Sequence, residues 1–207
     1  MFLLSLFPGY RSLSFLSFTS PLSLSLSLSW WLFRLQGLNL NRYQDVLPNP
    51  ITRVELEKSM NDPTSDYVNA NFVQQREGLD STSYIAAQGP TKTTVSTFVR
   101  MLWEKHVLVV SMVTGLVEGG KIKCERYWPE TPESEPLEFG NIAVQCVGVV
   151  EKTGYTVTDL LLVKTASGRR GSIAGEAERD ERALRHYWFT GWPDHGVPSN
   201  DAGTWLF

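Results

Sequence analysis

The chain reads as an α/β domain, and two adjacent stretches say so. Between Thr91 and His106 the apolar residues Val95, Phe98, Val99, Leu102 and Trp103 fall at i, i+3, i+4, i+7 and i+8, one face of a helix. Directly after it, Val107-Leu108-Val109-Val110-Ser111-Met112-Val113 forms an apolar run of seven, the pattern of a strand buried on both faces. Helix followed by buried strand, among further strands, is the signature of layered α/β architecture.

The remaining elements follow in order. Asn41 to Pro50 is turn-rich and reads as an ordered loop. Tyr67-Val68-Asn69-Ala70-Asn71-Phe72-Val73 alternates as a strand does. Ser83-Tyr84-Ile85-Ala86-Ala87 does likewise, and it ends at the punctuation Gln88-Gly89-Pro90. Further strands are expected at Cys124–Trp128, Ile142–Val150, Tyr155–Val163 and Ala183–Thr190, with Thr165 to Arg182, rich in Gly, Arg and Glu, as an exposed loop. There is no internal repeat. A length of 207 residues suits one domain, or one domain with an appendage.

Charge and cysteine content exclude several classes. The net charge is −3, but residues 1–37 hold no acid and only Arg11 and Arg34 as bases, which leaves 22 acidic against 17 basic residues in the rest. An acidic domain without basic blocks has no electrostatic footprint for nucleic acid. Two cysteines, Cys124 and Cys146, are too few for a disulfide framework and fit a reducing compartment.

Residues 1–37 differ from everything after them. Leu22 to Ser29 alternates Leu and Ser in a low-complexity run. Arg11 is the first basic residue, and Pro8 and Pro21 interrupt the apolar stretches, which is a poor match to a signal peptide. The recurrent Ser also fits badly with a membrane span of roughly 20 apolar residues. Three readings stand: a Ser/Leu-rich extension outside the fold, a membrane-directed segment, or a strand docked on the domain. Membrane association through this segment stays open. The folded domain is expected over residues 38–207.

The chemistry concentrates near the other end. Trp192-Pro193-Asp194-His195-Gly196-Val197-Pro198 follows a strand-like run and holds an acid on a loop bracketed by Gly191 and Gly196. Pro193 fixes its own φ and pushes Trp192 towards an extended conformation, while Gly196 permits a sharp bend. Two readings fit. Asp194 is a general acid on a loop that closes over substrate, or an Asp that bonds its own backbone in a turn.

Other routes to phosphate chemistry fail. No Gly-rich loop of the P-loop form is present. His106, His186 and His195 have no carboxylate or cysteine partners at ligand spacing, so no metal site is expected. His106, at a helix end, is better read as a residue that answers the helix dipole. A phosphate-attacking thiolate needs backbone N–H groups and a bidentate Arg around the dianion, seen in sequence as a cysteine followed after five residues by an arginine. Cys124 has Glu130 there and Cys146 has Lys152. Both cysteines therefore read as small buried hydrophobes in strands.

Five stretches nonetheless stand in a characteristic order. They are Asn41-Arg42-Tyr43, Asp66-Tyr67-Val68-Asn69-Ala70-Asn71, Tyr84-Ile85-Ala86-Ala87-Gln88-Gly89-Pro90, Lys123-Cys124-Glu125-Arg126-Tyr127-Trp128-Pro129, and Trp192 to Pro198. Together they resemble the catalytic domain of the Cys-dependent protein tyrosine phosphatases, over residues 39 to about 200. The resemblance implies a twisted mixed central sheet flanked by helices. It implies phosphotyrosine-containing proteins or peptides as partners, no cofactor, and a cytoplasmic location, including the cytoplasmic side of a membrane protein. By position, Tyr43 matches the aromatic that stacks on the phosphotyrosine ring, and Asp45 the carboxylate that accepts N–H bonds from the substrate backbone. Glu118 matches the acid that pairs with the phosphate-binding Arg, and Lys123 the base near the acid loop. Asp194 matches the general acid. Arg42, Asn69 and Asn71 match structural hydrogen-bonders and Trp192 a packing hinge. Leu40 departs from the usual Lys before Asn-Arg-Tyr.

The same resemblance places the nucleophile loop, His-Cys followed by five residues and Arg, downstream of Phe207, with a later Gln-bearing loop. The domain is thus expected to be incomplete, to lack a central strand and the helices over one face, and to expose open strand edges. Acid without nucleophile implies no turnover. A non-catalytic phosphotyrosine-peptide binder and a non-functional truncated product are the alternatives.

Overall fold

A computed structural model describes residues 2–6, 39–62, 64–73, 84–165 and 179–190. Its core is a nine-stranded mixed sheet. The strands are β1 (Phe2–Leu6), β2 (Arg53–Glu55), β3 (Tyr67–Val73), β4 (Tyr84–Ala87), β5 (Val107–Met112), β8 (Leu137–Phe139), β9 (Ile142–Lys152), β10 (Tyr155–Thr165) and β11 (Arg179–Phe189). Their spatial order is β2-β3-β4-β1-β5-β11-β10-β9-β8. A separate two-stranded hairpin joins β6 (Val117–Glu118) to β7 (Lys121–Ile122), with Gly119 and Gly120 both at positive φ in its turn.

One helix, α1 (Val95–Glu104), lies among the described residues. Its expected stripe is the buried one: Phe98, Val99, Leu102 and Trp103 enter the core, joined by Met101. Each such side chain contributes about 1.5–3 kcal/mol of burial. No helix among the described residues is long and apolar enough to cross a membrane.

Three details depart from expectation. β5 is buried at Val107, Val110 and Met112, but Leu108 is exposed, because the β1 ladder skips it: Ser5 pairs with Val109 and Leu6 with Val107. Cys124–Trp128 is not a strand. Its backbone bonds run to loop carbonyls instead, Cys124 N–H to Leu116 and Glu125 N–H to Pro90, while Cys124, Tyr127 and Trp128 remain buried. And β11 starts at Arg179, pairing with Thr165 of β10, inside the stretch expected to be a loop. Residues 166–178 lie outside the described residues.

The largest difference concerns β1. Of the three readings of the N-terminal stretch, Phe2–Leu6 takes the docked strand, at the centre of the sheet, antiparallel to both β4 and β5. Phe2, Leu4 and Leu6 are fully buried. The open edges expected at the centre are therefore filled among the described residues. Residues 7–38 lie outside them.

Candidate functional site

The sheet aligns three strand ends. β1 is antiparallel to β4 and to β5, so those two are parallel to each other, and β11 is parallel to β5. Phe2 pairs with both Ala87 and Met112, and Met112 with Trp188, which sets the carboxyl ends of β4, β5 and β11 in one row. Just past that row the chain enters Gln88-Gly89-Pro90, Val113-Thr114-Gly115 and Phe189-Thr190. Loops at the carboxyl ends of parallel strands are where open α/β sheets place their ligands.

The loop carrying Tyr43 is tied to this edge by Arg42. Its guanidinium donates to the carbonyls of Gly89 (3.2 and 3.3 Å), Pro90 (2.8 Å) and Ile122 (2.6 Å), while its backbone N–H donates to Gln88 Oε1 at 3.0 Å. Gln88 returns a bond from Nε2 to Leu40 O at 3.0 Å. On the other side, Asn69 Nδ2 donates to Asn41 Oδ1 (2.9 Å) and Val46 O (2.8 Å), closing both ends of the loop. Tyr67 Oη also donates to Asn41, and burial raises the Tyr67 phenol to about 12, so it stays a donor. Asn71 holds the next turn through Asn49 O and Thr52 Oγ1, both at 2.9 Å.

With its base fixed, the loop presents its tip. Val46 N–H bonds back to Tyr43 O at 3.3 Å, and Tyr43 is 51% exposed, with Asp45 and Val46 exposed beside it. An aromatic face and a carboxylate are thus held at the rim by a rigid scaffold.

Glu118 and Lys123 sit at the foot of the β6–β7 hairpin. Glu118 Oε1 accepts from Gly115 N–H and from Thr114 Oγ1 (2.8 Å), and its Oε2 lies 3.9 Å from Lys123 Nζ. Both side chains are about one-fifth exposed, so the carboxylate is anchored to the end of β5 rather than free in solvent. Trp188 Nε1 donates to Thr114 O at 3.0 Å, which joins this hairpin to β11 four residues before Trp192. Trp192 and Asp194 themselves lie outside the described residues. The structure thus brings Arg42, Tyr43, Asp45, Glu118 and Lys123 to one edge of the sheet.

Neither cysteine is poised for attack. Burial raises the Cys124 thiol to about 12 and also raises Cys146. At His106, desolvation and then the nearby Arg182 lower the imidazole pKa, which weakens its protonated form at the helix end. His106 closes α1 by geometry, at φ 53°. A small cleft lined by Leu40, Tyr67, Asn69, Gln88, Pro90 and Phe98 includes none of Tyr43, Asp45, Glu118 or Lys123. No cluster of metal-ligating side chains occurs among the described residues. Sequence reading missed Gln88, Thr114 and Trp188 as positioning residues. The Gln-Gly-Pro turn was a visible signal for the first; a Trp N–H meeting a loop carbonyl carries none.

Comparison with known proteins gives the family. The Protein-tyrosine phosphatase family profile matches residues 38–207. Over 161 residues the chain is 38% identical to receptor-type tyrosine-protein phosphatase R of Rattus norvegicus, covering 77% of this chain and 22% of the relative. It is 36% identical over 165 residues to human tyrosine-protein phosphatase non-receptor type 12, covering 80% of this chain and 19% of the relative. With the human non-receptor type 5 enzyme the identity is 37% over 159 residues, 76% of this chain and 25% of the relative. The chain belongs to the protein-tyrosine phosphatase family. It spans about a fifth of the length of these relatives.

Proposed function

We propose that the protein to which this domain belongs hydrolyses phosphotyrosine in proteins or peptides through a phosphocysteine intermediate, in the cytoplasm. The observation that carries the reading is the Arg42 clamp, which fixes the Tyr43–Asp45 rim on the edge where β4, β5 and β11 end. In this reading Tyr43 stacks on the substrate ring and its depth favours phosphotyrosine over the shorter phosphoserine. Asp45 accepts backbone N–H bonds of the bound peptide. A thiolate attacks phosphorus, the bond to the tyrosyl oxygen breaks, and Asp194 gives that oxygen its proton. Tyrosinate has a pKa near 10, so proton donation at neutral pH supplies roughly 10²–10⁴-fold. The carboxylate then takes a proton from water as water displaces the cysteine and releases phosphate.

These 207 residues contain no cysteine followed after five residues by arginine. A polypeptide limited to them has an acid and a substrate rim without a nucleophile and does not turn over. The test uses the coding sequence carried past residue 207 until it includes such a loop. Asp194→Ala in that protein lowers kcat for a phosphotyrosine peptide by about 10²–10⁴-fold, and Tyr43→Ala raises KM. An unchanged kcat in Asp194→Ala removes the acid assignment.

A non-catalytic phosphotyrosine binder would use the same exposed Tyr43 and Asp45. Phosphate-dependent peptide binding by these 207 residues is its signature, and absence of binding removes it.

A further inference from the structure

Thr114 is bonded from two sides. β5 and β11 run parallel with Met112 opposite Trp188, so the chain leaves β5 beside that indole. Trp188 Nε1 donates to Thr114 O at 3.0 Å, and Thr114 Oγ1 donates to Glu118 Oε1 at 2.8 Å. The single hydroxyl proton goes to this closer, charged acceptor rather than to Gly115 O at 3.4 Å. One residue thus takes a bond from β11 through its carbonyl and gives one to the β6–β7 hairpin through its side chain. Both partners are fixed elsewhere. Trp188 packs against the core, its ring edge-on to Trp128 at 5.6 Å, and Glu118 pairs with Lys121 across the glycine turn.

The carboxylate is seated as well as bonded. Gly115 N–H donates to the same Oε1, and a Cβ on Gly115 would lie 3.2 Å from Glu118 Cγ and 3.4 Å from Oε1. A glycine lets the carboxylate lie this close to the backbone. Both anchoring bonds go to Oε1. Lys123 Nζ approaches Oε2 at 3.9 Å, longer than a hydrogen bond, so this oxygen keeps acceptor capacity. A carboxylate with one oxygen held by two donors presents the other in a set direction. That suits it to orient a guanidinium, whose planar fork binds carboxylate with strict geometry.

We propose that Thr114 is a positioning residue for phosphate capture: it locks the Glu118 carboxylate, and Trp188 locks Thr114. In the phosphatase reading, on which this rests, Glu118 orients the arginine that holds the phosphate dianion. Its direction is then set from β11 through Thr114, and Trp188 acts on phosphate affinity without touching phosphate. Loosening the carboxylate weakens the hold on the dianion in substrate and in free phosphate alike.

The experiment uses the protein carried past residue 207, with a phosphotyrosine peptide as substrate and inorganic phosphate as competing inhibitor. Thr114→Val keeps the side chain's shape and removes its hydroxyl. KM for the peptide and Ki for phosphate both rise at least about fivefold, and kcat changes less than either. A loss of stability alone would lower the active fraction, hence apparent kcat, and leave Ki unchanged. Thr114→Ser recovers most of the loss. Trp188→Phe keeps an aromatic ring beside Trp128, removes the N–H, and raises the same two constants by a smaller factor. The double variant shows less than the product of the two effects, since both act through one contact chain. An unchanged Ki in Thr114→Val, no recovery in Thr114→Ser, or independent effects in the double variant overturns the proposal. If Thr114→Val loses its cooperative thermal transition, Trp188→Phe decides, and an unchanged Ki there rejects the coupling. No turnover by the unaltered protein removes the phosphatase reading and this inference with it; turnover with an unaffected Thr114→Val removes the inference alone.

Discussion

His186 stands on β11 with both ring nitrogens buried and without a hydrogen-bond partner, its ring 4.5 Å from that of Trp128 and 5.6 Å from that of Tyr127. Burial, with a smaller contribution from Arg126, lowers its pKa from 6.5 to about 3. Below pH 6.5 the unfolded chain takes up a proton that the folded one refuses, so stability falls as pH drops from 6.5 towards 3, by up to about 1.4 kcal/mol per pH unit. His186→Phe keeps the aromatic packing and removes this sensitivity. Its urea midpoint is expected to change less than that of the parent between pH 7 and pH 5; an identical pH dependence in both would show that the ring is protonated while folded. Arg42 is the second residue of consequence. Arg42→Ala strands the carbonyls of Gly89, Pro90 and Ile122 and is expected to cost about 2–4 kcal/mol in denaturant unfolding. Arg42→Lys recovers little, since one ammonium cannot span the three acceptors that the planar fork reaches. Both arginine and tyrosine of Asn41-Arg42-Tyr43 were legible as a motif. The clamp was not, because its acceptors are backbone carbonyls 47 to 80 residues away, which leave no trace in residue identity.

At the scale of elements, periodicity succeeded where packing was one-sided. The stripe of α1 was readable because the helix buries one face, while β3 was readable from its alternating residue types although Tyr67, Val68, Asn69 and Ala70 are all buried in succession. It failed at Cys124–Trp128, whose apolar residues are buried although the backbone belongs to no ladder. Burial and strand pairing are separate facts, and composition reports mainly the first. Phe2–Leu6 was ambiguous for the opposite reason: five apolar and small residues beside a Leu-Ser repeat fit any partner, and only the vacant place between β4 and β5 selects one. Gly89 shows how close that packing is. An added Cβ would meet Lys123 O at 2.5 Å as well as Phe2, and a backbone atom cannot rotate away. Gly89→Ala is expected to destabilise the chain by about 1–3 kcal/mol. Gly148→Ala on β9, where a Cβ meets nothing within 4 Å, is expected to be neutral or slightly stabilising. Equal urea midpoints for the two variants would refute the close approach of β1, β4 and the Cys124 segment.

For the molecule as a whole, the α/β class was readable from one helix and the buried strand after it, and the family resemblance from five short stretches, of which the four described ones meet where loops bond to one another around the sheet edge. Asn41 meets Tyr67 and Asn69, Arg42 meets Gly89 and Pro90, and Lys123 meets Glu118. The position of β1 was not readable, since strand order is a property of the assembled sheet. The edge so built holds Arg42, Tyr43, Asp45, Glu118 and Lys123, yet burial raises both thiols and neither cysteine is followed after five residues by an arginine. The most direct test is hydrolysis of a phosphotyrosine peptide by the purified 207-residue chain, followed as phosphate release. No release above the buffer rate is expected. Turnover that disappears in Asp194→Ala would contradict this, and would mean that a nucleophile lies among residues where none is recognised.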